Sequence, residues 1–288
     1  MEDVYKLKPE QFPSQLLEIP QPPKTLFIRG KLPDKNKICL AVVGSRRFTS
    51  YGKDICTKLI RGLKGYPIVI ISGLALGIDS VAHKTALEVG LQTVAFPGSG
   101  LDNSVLHPRC NISLAQEIVN SGGCLISELE PNWKATLYSF PQRNRLMAGM
   151  SKAVLIIEAE EKSGTLITAR MALDYNRDVL AVPGSAFSSN SNGTNWLIKQ
   201  GATPVTNSEE ILDALGFKIE KNKMSDKEKY ADCSKDEMRI IALLTEPKER
   251  DDLVRESGMD IAQANALLSI MEIKELIKEE LGEIRLNT

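Results

Sequence analysis

The sequence predicts an α/β chain: a doubly wound, mostly parallel sheet followed by a small C-terminal winged-helix domain. Three observations carry this. Six short apolar runs, ICLAVVGS, PIVIISG, QTVAFPG, GCLISE, KAVLIIEA and DVLAVPG, alternate with amphipathic segments such as SVAHKTALEVG and NISLAQEIVNSG. Runs that are apolar on both faces suit strands covered on two sides, which makes them parallel and joined by crossover helices. Beyond residue 234 the strand-and-helix alternation gives way to helical spacing alone until a final strand pair.

The chain divides accordingly. Residues 1–37, with the proline-rich FPSQLLEIPQPPKTLFIRGKLP, read as an N-terminal lead-in, and residues 38–216 as the Rossmann-like domain. Residues 217–234, FKIEKNKMSDKEKYADCS, are charged and lack a helical stripe, so they read as a linker. In 235–288, Met238, Ile241 and Leu244, then Ile261, Ala264, Leu267, Leu268 and Met271, keep helical spacing. Three helices, the second ending at Gly258, and a strand pair around Gly282 make a winged-helix pattern.

Composition narrows the function. The 288 residues are 42% apolar and 25% charged with a formal net charge of −1, so any basic surface is local. Residues 235–288 carry 8 Lys+Arg against 13 Asp+Glu, net −5, which leaves the rest of the chain at net +4. The third helix, DIAQANALLSIMEI, has no Lys or Arg before Lys274 and is a poor reader of a nucleic-acid groove. The five cysteines (39, 56, 110, 124 and 233) form no C-x-x-C pair and read as thiols of a reducing compartment. With only His83 and His107 as histidines, no metal site is expected. The start, MEDVYKLKPEQFP, lacks a basic-then-apolar signal and no run approaches membrane-spanning length, so a cytoplasmic protein is expected.

In doubly wound sheets ligands bind at the carboxyl ends of the strands. After the first of the six runs, Gly44 and Ser45 make a turn, Arg46 and Arg47 follow, and Thr49 or Ser50 can cap the next helix. After the second, Ser72 and Gly73 end the strand and Asp79 can cap a helix or orient a nearby cation, while His83 suits a packed position. After the third, Gly98 and Gly100 begin like a dinucleotide fingerprint, but Asn103 occupies the third glycine position, so no nucleotide cofactor is expected. The loop beyond presents Arg109, either as a further cation over the same edge or as a solvated arginine. In FPQRNR, Arg143 and Arg145 flank Asn144 and splay to different sides of a helix. One of them can face a ligand while the other braces the fold through Glu128 or Glu158. Ser163, Gly164 and Thr165 then open another helix, and helix starts of this kind bind phosphate.

Taken in order, GSR, SG-x-A-x-GID, PG-x-G-LD, FP-x-RNR, the EA…SG-T-LIT-A block and VPG…G-x-N-x-LI-x-x-GA resemble the DNA-processing protein A family (DprA, also called Smf) over roughly Phe12 to Leu215. The resemblance implies a homodimer that binds single-stranded DNA during natural transformation, protects it and helps load RecA recombinase, with no enzymatic activity and no cofactor. It implies Arg46 and Arg109 as DNA-contacting cations, although the Tyr-Pro-Lys of relatives reads His107-Pro108-Arg109 here. Many relatives carry an extra N-terminal helical domain for which this chain has no room. The acidic C-terminal domain is expected to contact protein.

The rival expectation is a Rossmann-like nucleotide-processing enzyme of the phosphoribohydrolase type. Those enzymes place a catalytic Glu three residues beyond the Gly-Thr helix start. Here Thr168 stands there, and it cannot supply a carboxylate. No Walker lysine and no Ser-His-Asp arrangement replaces it. A ligand-sensing transcription factor is the third reading, disfavoured by the acidic third helix.

Overall fold

The structure, a computed structural model, describes residues 3–218, 230, 233–244, 246–274, 276–280 and 282–286. It divides into two units, Met1–Ile219 and Glu220–Thr288. In the larger unit the strands are β1 (Tyr5–Lys6), β2 (Phe27–Gly30), β3 (Ile38–Val43), β4 (Ile68–Ser72), β5 (Gln92–Ala95), β6 (Cys124–Ser127), β7 (Ala153–Ile156), β8 (Asp178–Ala181) and β9 (Thr203–Pro204). They form one sheet in the order β1-β2-β6-β5-β4-β3-β7-β8-β9. The six expected runs are β3 to β8, and every pairing among them is parallel.

Alternation along each strand feeds two cores. Cys39, Ala41 and Val43 of β3 point into one, and Leu40 and Val42 into the other. The first core is closed by α5 (Ser139–Met150), α6 (Gly164–Asp174) and α7 (Asn192–Lys199) through Leu146, Met147, Ala169, Ala172 and Leu197. The second is closed by α2 (Ser50–Arg61), α3 (Ile78–Glu88) and α8 (Ser208–Ala214) through Cys56, Leu59, Ile60, Ala82, Ala86 and Leu212. Helix α4 (Ile112–Asn120) covers β5 and β6 with Leu114, Ala115 and Ile118. The sheet is therefore doubly wound. Cys39, Cys56 and Cys124 are free and buried, and burial pushes the Cys39 thiol up to about 12. Cys110 is exposed.

Residues 3–37 are not a separate lead-in. β2 pairs antiparallel with β6 and β1 with β2, and Leu7, Phe12, Leu16, from the short helix α1 (Ser14–Leu17), Leu26 and Ile28 enter the first core. Without β2, the outer N–H and C=O groups of β6 would form an open sheet edge. The buried Arg29 ties β2 to the loop after β5 and to α4 by donating to Asn103 Oδ1 (2.6 Å) and to Gln116. The proline-rich composition hid an antiparallel edge, because its strands hold only two and four residues. β9, a two-residue strand parallel to β8, escaped notice for the same reason.

The smaller unit contains α9 (Lys235–Leu243), α10 (Arg250–Ser257) and α11 (Ile261–Ile273), with β10 (Lys248–Glu249), β11 (Ile277–Glu280) and β12 (Glu283–Leu286) in an antiparallel sheet ordered β10-β12-β11. Ile240, Leu244, Leu253, Leu268, Met271, Ile277 and Ile284 form its core. Gly258 ends α10 at φ +63°, in the left-handed region that glycine adopts without strain. Met238 and Ile261, expected in the apolar stripe, face solvent instead. Of the expected linker, residues 219–229, 231 and 232 lie outside the described residues. Among the described residues no helix is long and apolar enough to cross a membrane.

Candidate functional site

On either side of β3 the sheet is wound in opposite directions, through β4 on one side and β7 on the other. A cleft of about 500 Å³ opens there at the strands' carboxyl ends, the position that ligands occupy in open α/β sheets.

The exit from β3 supplies the cations. Ser45 is buried, and its Oγ accepts the Arg47 N–H (3.0 Å), which tightens the turn and leaves Arg46 and Arg47 exposed along the cleft. The loop before α3 braces this turn. Gly77, at φ +89°, lies so close to the Ser45 carbonyl and the Arg46 backbone that a Cβ would overlap both. The Ile78 N–H donates to the Ser45 carbonyl (3.2 Å). Thr49 caps α2 by accepting the Gly52 N–H (3.2 Å), and it donates its own N–H (3.0 Å) and hydroxyl (2.5 Å) to the buried Glu158 carboxylate.

The exit from β7 supplies a helix start. Ser163 Oγ accepts the Thr165 N–H (3.2 Å), and Thr165 Oγ1 donates to the Gly44 carbonyl (3.2 Å), stitching the two exits together. The positive end of the α6 dipole therefore opens into the cleft beside Arg46 and Arg47.

Helix α5 forms the third wall. Phe140, Arg143, Asn144 and Met147 repeat at i, i+3, i+4 and i+7, so one helical face lines the cleft. The Arg46 guanidinium lies 5.4 Å from the centre of the Phe140 ring, within cation–π range. The His107 ring packs on the same phenyl at 5.7 Å. Arg143 is 8% exposed and donates to the Phe96 carbonyl. Its guanidinium rests against Gly73, where any Cβ would collide with it. The buried Asp79 carboxylate holds the same loop by accepting the N–H groups of Gly73 (3.1 Å) and Ala75 (3.3 Å). Burial lowers Arg143 to about 10, with Asp79 opposing the shift, so it stays a cation at neutral pH. Burial pushes Asp79 up, and Arg143 and the hydrogen bonds it accepts resist that. Asp79 is thus a loop brace and a partner for Arg143, and Gly77 is the cap position of α3.

Of the residues expected at the site, the structure brings Gly44, Ser45, Arg46, Arg47, Arg143, Asn144, Ser163, Gly164 and Thr165 together around one cleft. Four lie elsewhere. The buried Ser72 hydroxyl donates to the Val42 carbonyl (2.7 Å), tying β4 to β3. Gly73 lines a smaller hollow next door with Arg46, His107, Pro108 and Phe140. Arg109 is exposed just beyond that hollow, on a short 3-10 turn. Arg145 turns away from the cleft to Glu128 and the Gln21 carbonyl (2.6 Å), because two helical steps rotate a side chain by about 200°. Of the two arginines, Arg143 is therefore the one at the cleft and Arg145 the brace.

Phe140, Met147 and Glu160 also line the cleft and escaped sequence reasoning, and Thr168, singled out only as a missing carboxylate, lines it too. Phe140 was legible: it lies three residues before Arg143, on the same helical face. His83 is buried in the second layer, with Nδ1 2.7 Å from Thr93 Oγ1. Among the described residues no group of three or more His, Cys, Asp or Glu side chains is placed to hold a metal.

The family model for DNA recombination-mediator protein A matches residues 3–216. Protein Smf from Escherichia coli (strain K12) is 44% identical over 208 residues, 72% of this chain but 55% of that protein, so the chain spans little more than half of that relative's length. DNA processing protein DprA from Streptococcus pneumoniae is 39% identical over 206 residues, 72% of each chain. The crystal structure of the S. pneumoniae protein matches with a TM-score of 0.68 at 37% identity, over 74% of each chain. A structure of DNA processing protein A from Helicobacter pylori, concerned with its single-stranded DNA binding mode, matches with a TM-score of 0.65 at 31% identity, over 75% of this chain and 98% of that one.

Proposed function

The chain belongs to the DNA recombination-mediator protein A family, and from that premise we propose that its larger unit holds single-stranded DNA by the phosphates without cleaving it. The observation that carries the reading is the convergence of Arg46, Arg47, Arg143 and the α6 N-terminus on one cleft at the sheet's switch point. Guanidiniums and a helix start both favour phosphate oxygens. The carboxylates nearby do not form a catalytic pair: Asp79 is buried and engaged with two backbone amides, and Glu160 sits exposed at the rim. Thr168, where a phosphoribohydrolase would carry its glutamate, is a cleft-lining residue without a carboxylate.

The likeness to the H. pylori protein supports the choice of single-stranded DNA. A role in transformation, with RecA recombinase loaded onto the held strand by a homodimer in the cytoplasm, completes the proposal and rests on the family. In it Arg109, exposed beyond the neighbouring hollow, extends the cationic track. The smaller unit is read as a winged helix that contacts protein rather than DNA.

The test is a gel-shift and anisotropy series with single-stranded DNA, double-stranded DNA and free nucleotides at several salt concentrations. Single-stranded DNA should bind best. Arg46→Glu should abolish most of that binding while the fold survives, because it replaces an attraction at a phosphate with a repulsion. Loss of one phosphate contact should lower the salt slope for a single strand by about 0.7. Preferential retention or cleavage of a free nucleotide would instead restore the enzymatic reading.

A further inference from the structure

The connection from β6 to α5 carries a feature that the phosphate cleft does not use. Leu137 and Tyr138 are 85% and 82% exposed, and Trp133, four residues before Leu137, is 51% exposed. Leu137 and Tyr138 are the central residues of a tight turn from Thr136 to Ser139, positions where glycine, proline, asparagine, aspartate or serine is the usual choice. A floppy turn would explain nothing, but this one is pinned. The Ser139 N–H donates to the Thr136 carbonyl (3.1 Å), and the Thr136 N–H donates to Ser139 Oγ (3.0 Å). Ser139 is buried, and its hydroxyl reaches the Gly98 carbonyl (2.5 Å), which anchors the turn to the loop after β5. Trp133 is held in the same way, since its carbonyl accepts the Gly100 N–H (2.8 Å).

A rigid platform that presents aromatic and aliphatic side chains to water has given up the burial they would otherwise gain. Its neighbours indicate what covers it. Tyr138 is two residues from Phe140, the cleft-lining ring over which Arg46 lies, so their Cα atoms are within about 7 Å of each other. Lys134 is also exposed on this connection, so a basic side chain is interleaved with Trp133, Leu137 and Tyr138. Cations that track a backbone, interleaved with rings on which bases stack, are the composition of a single-strand platform.

We propose that the Thr136–Ser139 turn, with Trp133, is a base-stacking platform that continues the strand path beyond the cleft. Tyr138, Leu137 and Trp133 take the bases of nucleotides whose neighbours are held by their phosphates at Arg46 and Arg47. The inference rests on the single-strand reading above and extends the site from phosphates to bases. A duplex, with its bases already stacked, gains nothing from the platform, so the turn adds preference for single strands as well as affinity.

The protein has two tryptophans, so Trp196→Phe leaves Trp133 as the sole indole reporter. Titration of that full-length variant with oligothymidylate should quench the Trp133 emission, and high salt should restore it. Tyr138→Ala combined with Leu137→Ser should weaken oligothymidylate binding at least roughly fivefold, the lower end of what one base–aromatic stack contributes. The salt slope should stay unchanged, because no cation is removed. Both substitutions are at exposed positions, and a thermal melt checks that the fold persists. Unchanged Trp133 emission at saturating oligonucleotide, or wild-type affinity in the double variant, overturns the platform while leaving the phosphate cleft standing. A double variant that keeps its affinity but loses a self-association seen in wild type by sedimentation would assign the turn to contacts between copies, and also overturns it. A wild type that binds no single strand overturns the reading beneath it as well.

Discussion

Arg143 is the residue on which the cleft depends most. It is a cation at 8% exposure, wedged between Gly73 and the Phe96 carbonyl and balanced by the buried Asp79. Removing the guanidinium leaves the buried Phe96 carbonyl without its donor and Asp79 without the cation that opposes its desolvation, and an orphaned buried polar group costs about 1–3 kcal/mol. Arg143→Met should therefore destabilise the protein by that order in urea denaturation, whereas Arg46→Glu at the exposed rim should not. A drop in binding for Arg143→Met must accordingly be read beside its stability. His83 provides a pH signature. Burial, with Arg143 adding to it, pushes the imidazole down to about 3, so the folded protein keeps it neutral where the unfolded chain, titrating near 6.5, takes up a proton. Its folded pKa is depressed, so its contribution is complete above about pH 6.5 and is lost as the pH falls toward about 3. The expected slope is about 1.4 kcal/mol per pH unit in that window. Denaturation at a series of pH values, with His83→Gln removing this slope, checks it.

At the level of elements, the site is made by helix starts meeting strand ends. Thr49 closes the first turn of α2 and also hands its N–H and hydroxyl to Glu158 beyond β7, so one residue couples the two strand exits that form the cleft. Thr49→Ala removes a cap, worth about 0.5–2 kcal/mol, and deprives Glu158 of a hydroxyl donor. The loss should fall toward the upper part of that range in a melt. Thr49→Ser, which keeps the hydroxyl, should recover most of it. Helix α5 shows how spacing sorts neighbours of the same chemistry: Arg143 shares a face with Phe140, Asn144 and Met147, while Arg145 is carried round to Glu128.

For the whole molecule, charge is divided between the two units. The last 54 residues hold a net −5 and the remainder a net +4, and the cationic cleft belongs to the larger unit. Deleting residues 218–288 should leave single-strand binding nearly intact. It spares Arg46, Arg47, Arg109 and Arg143 and removes negative charge, so binding at low salt should tighten slightly and the difference should fade as screening increases. Parallel titrations of full-length and truncated protein at two salt concentrations decide this. A loss of about tenfold, or 1.4 kcal/mol, in a folded truncated protein would assign DNA to the smaller unit. Two cationic tracks linked in a homodimer would raise affinity through effective concentration. A strict monomer in sedimentation, at concentrations where strand binding is undiminished, would remove that part of the proposal.

Six buried strands and the crossover helices between them were legible in the sequence because both depend on local pattern, continuous apolar runs against 3.6-residue periodicity. The same logic placed Gly44, Ser45, Arg46, Arg47, Ser163, Gly164 and Thr165 at strand exits, since a doubly wound sheet sends its loops to one edge. Tertiary structure decided the rest. The antiparallel edge of β1 and β2 rests on pairing with β6, a partner about a hundred residues away, which no local window contains. Ser72 and Arg109 sit at the right ends of the right elements, yet one is used to tie two strands and the other lies past a neighbouring hollow. Whether a polar side chain at a strand exit faces a ligand or the fold is set by which oxygen or nitrogen lies within about 3 Å of it, and that distance exists only once the chain has folded.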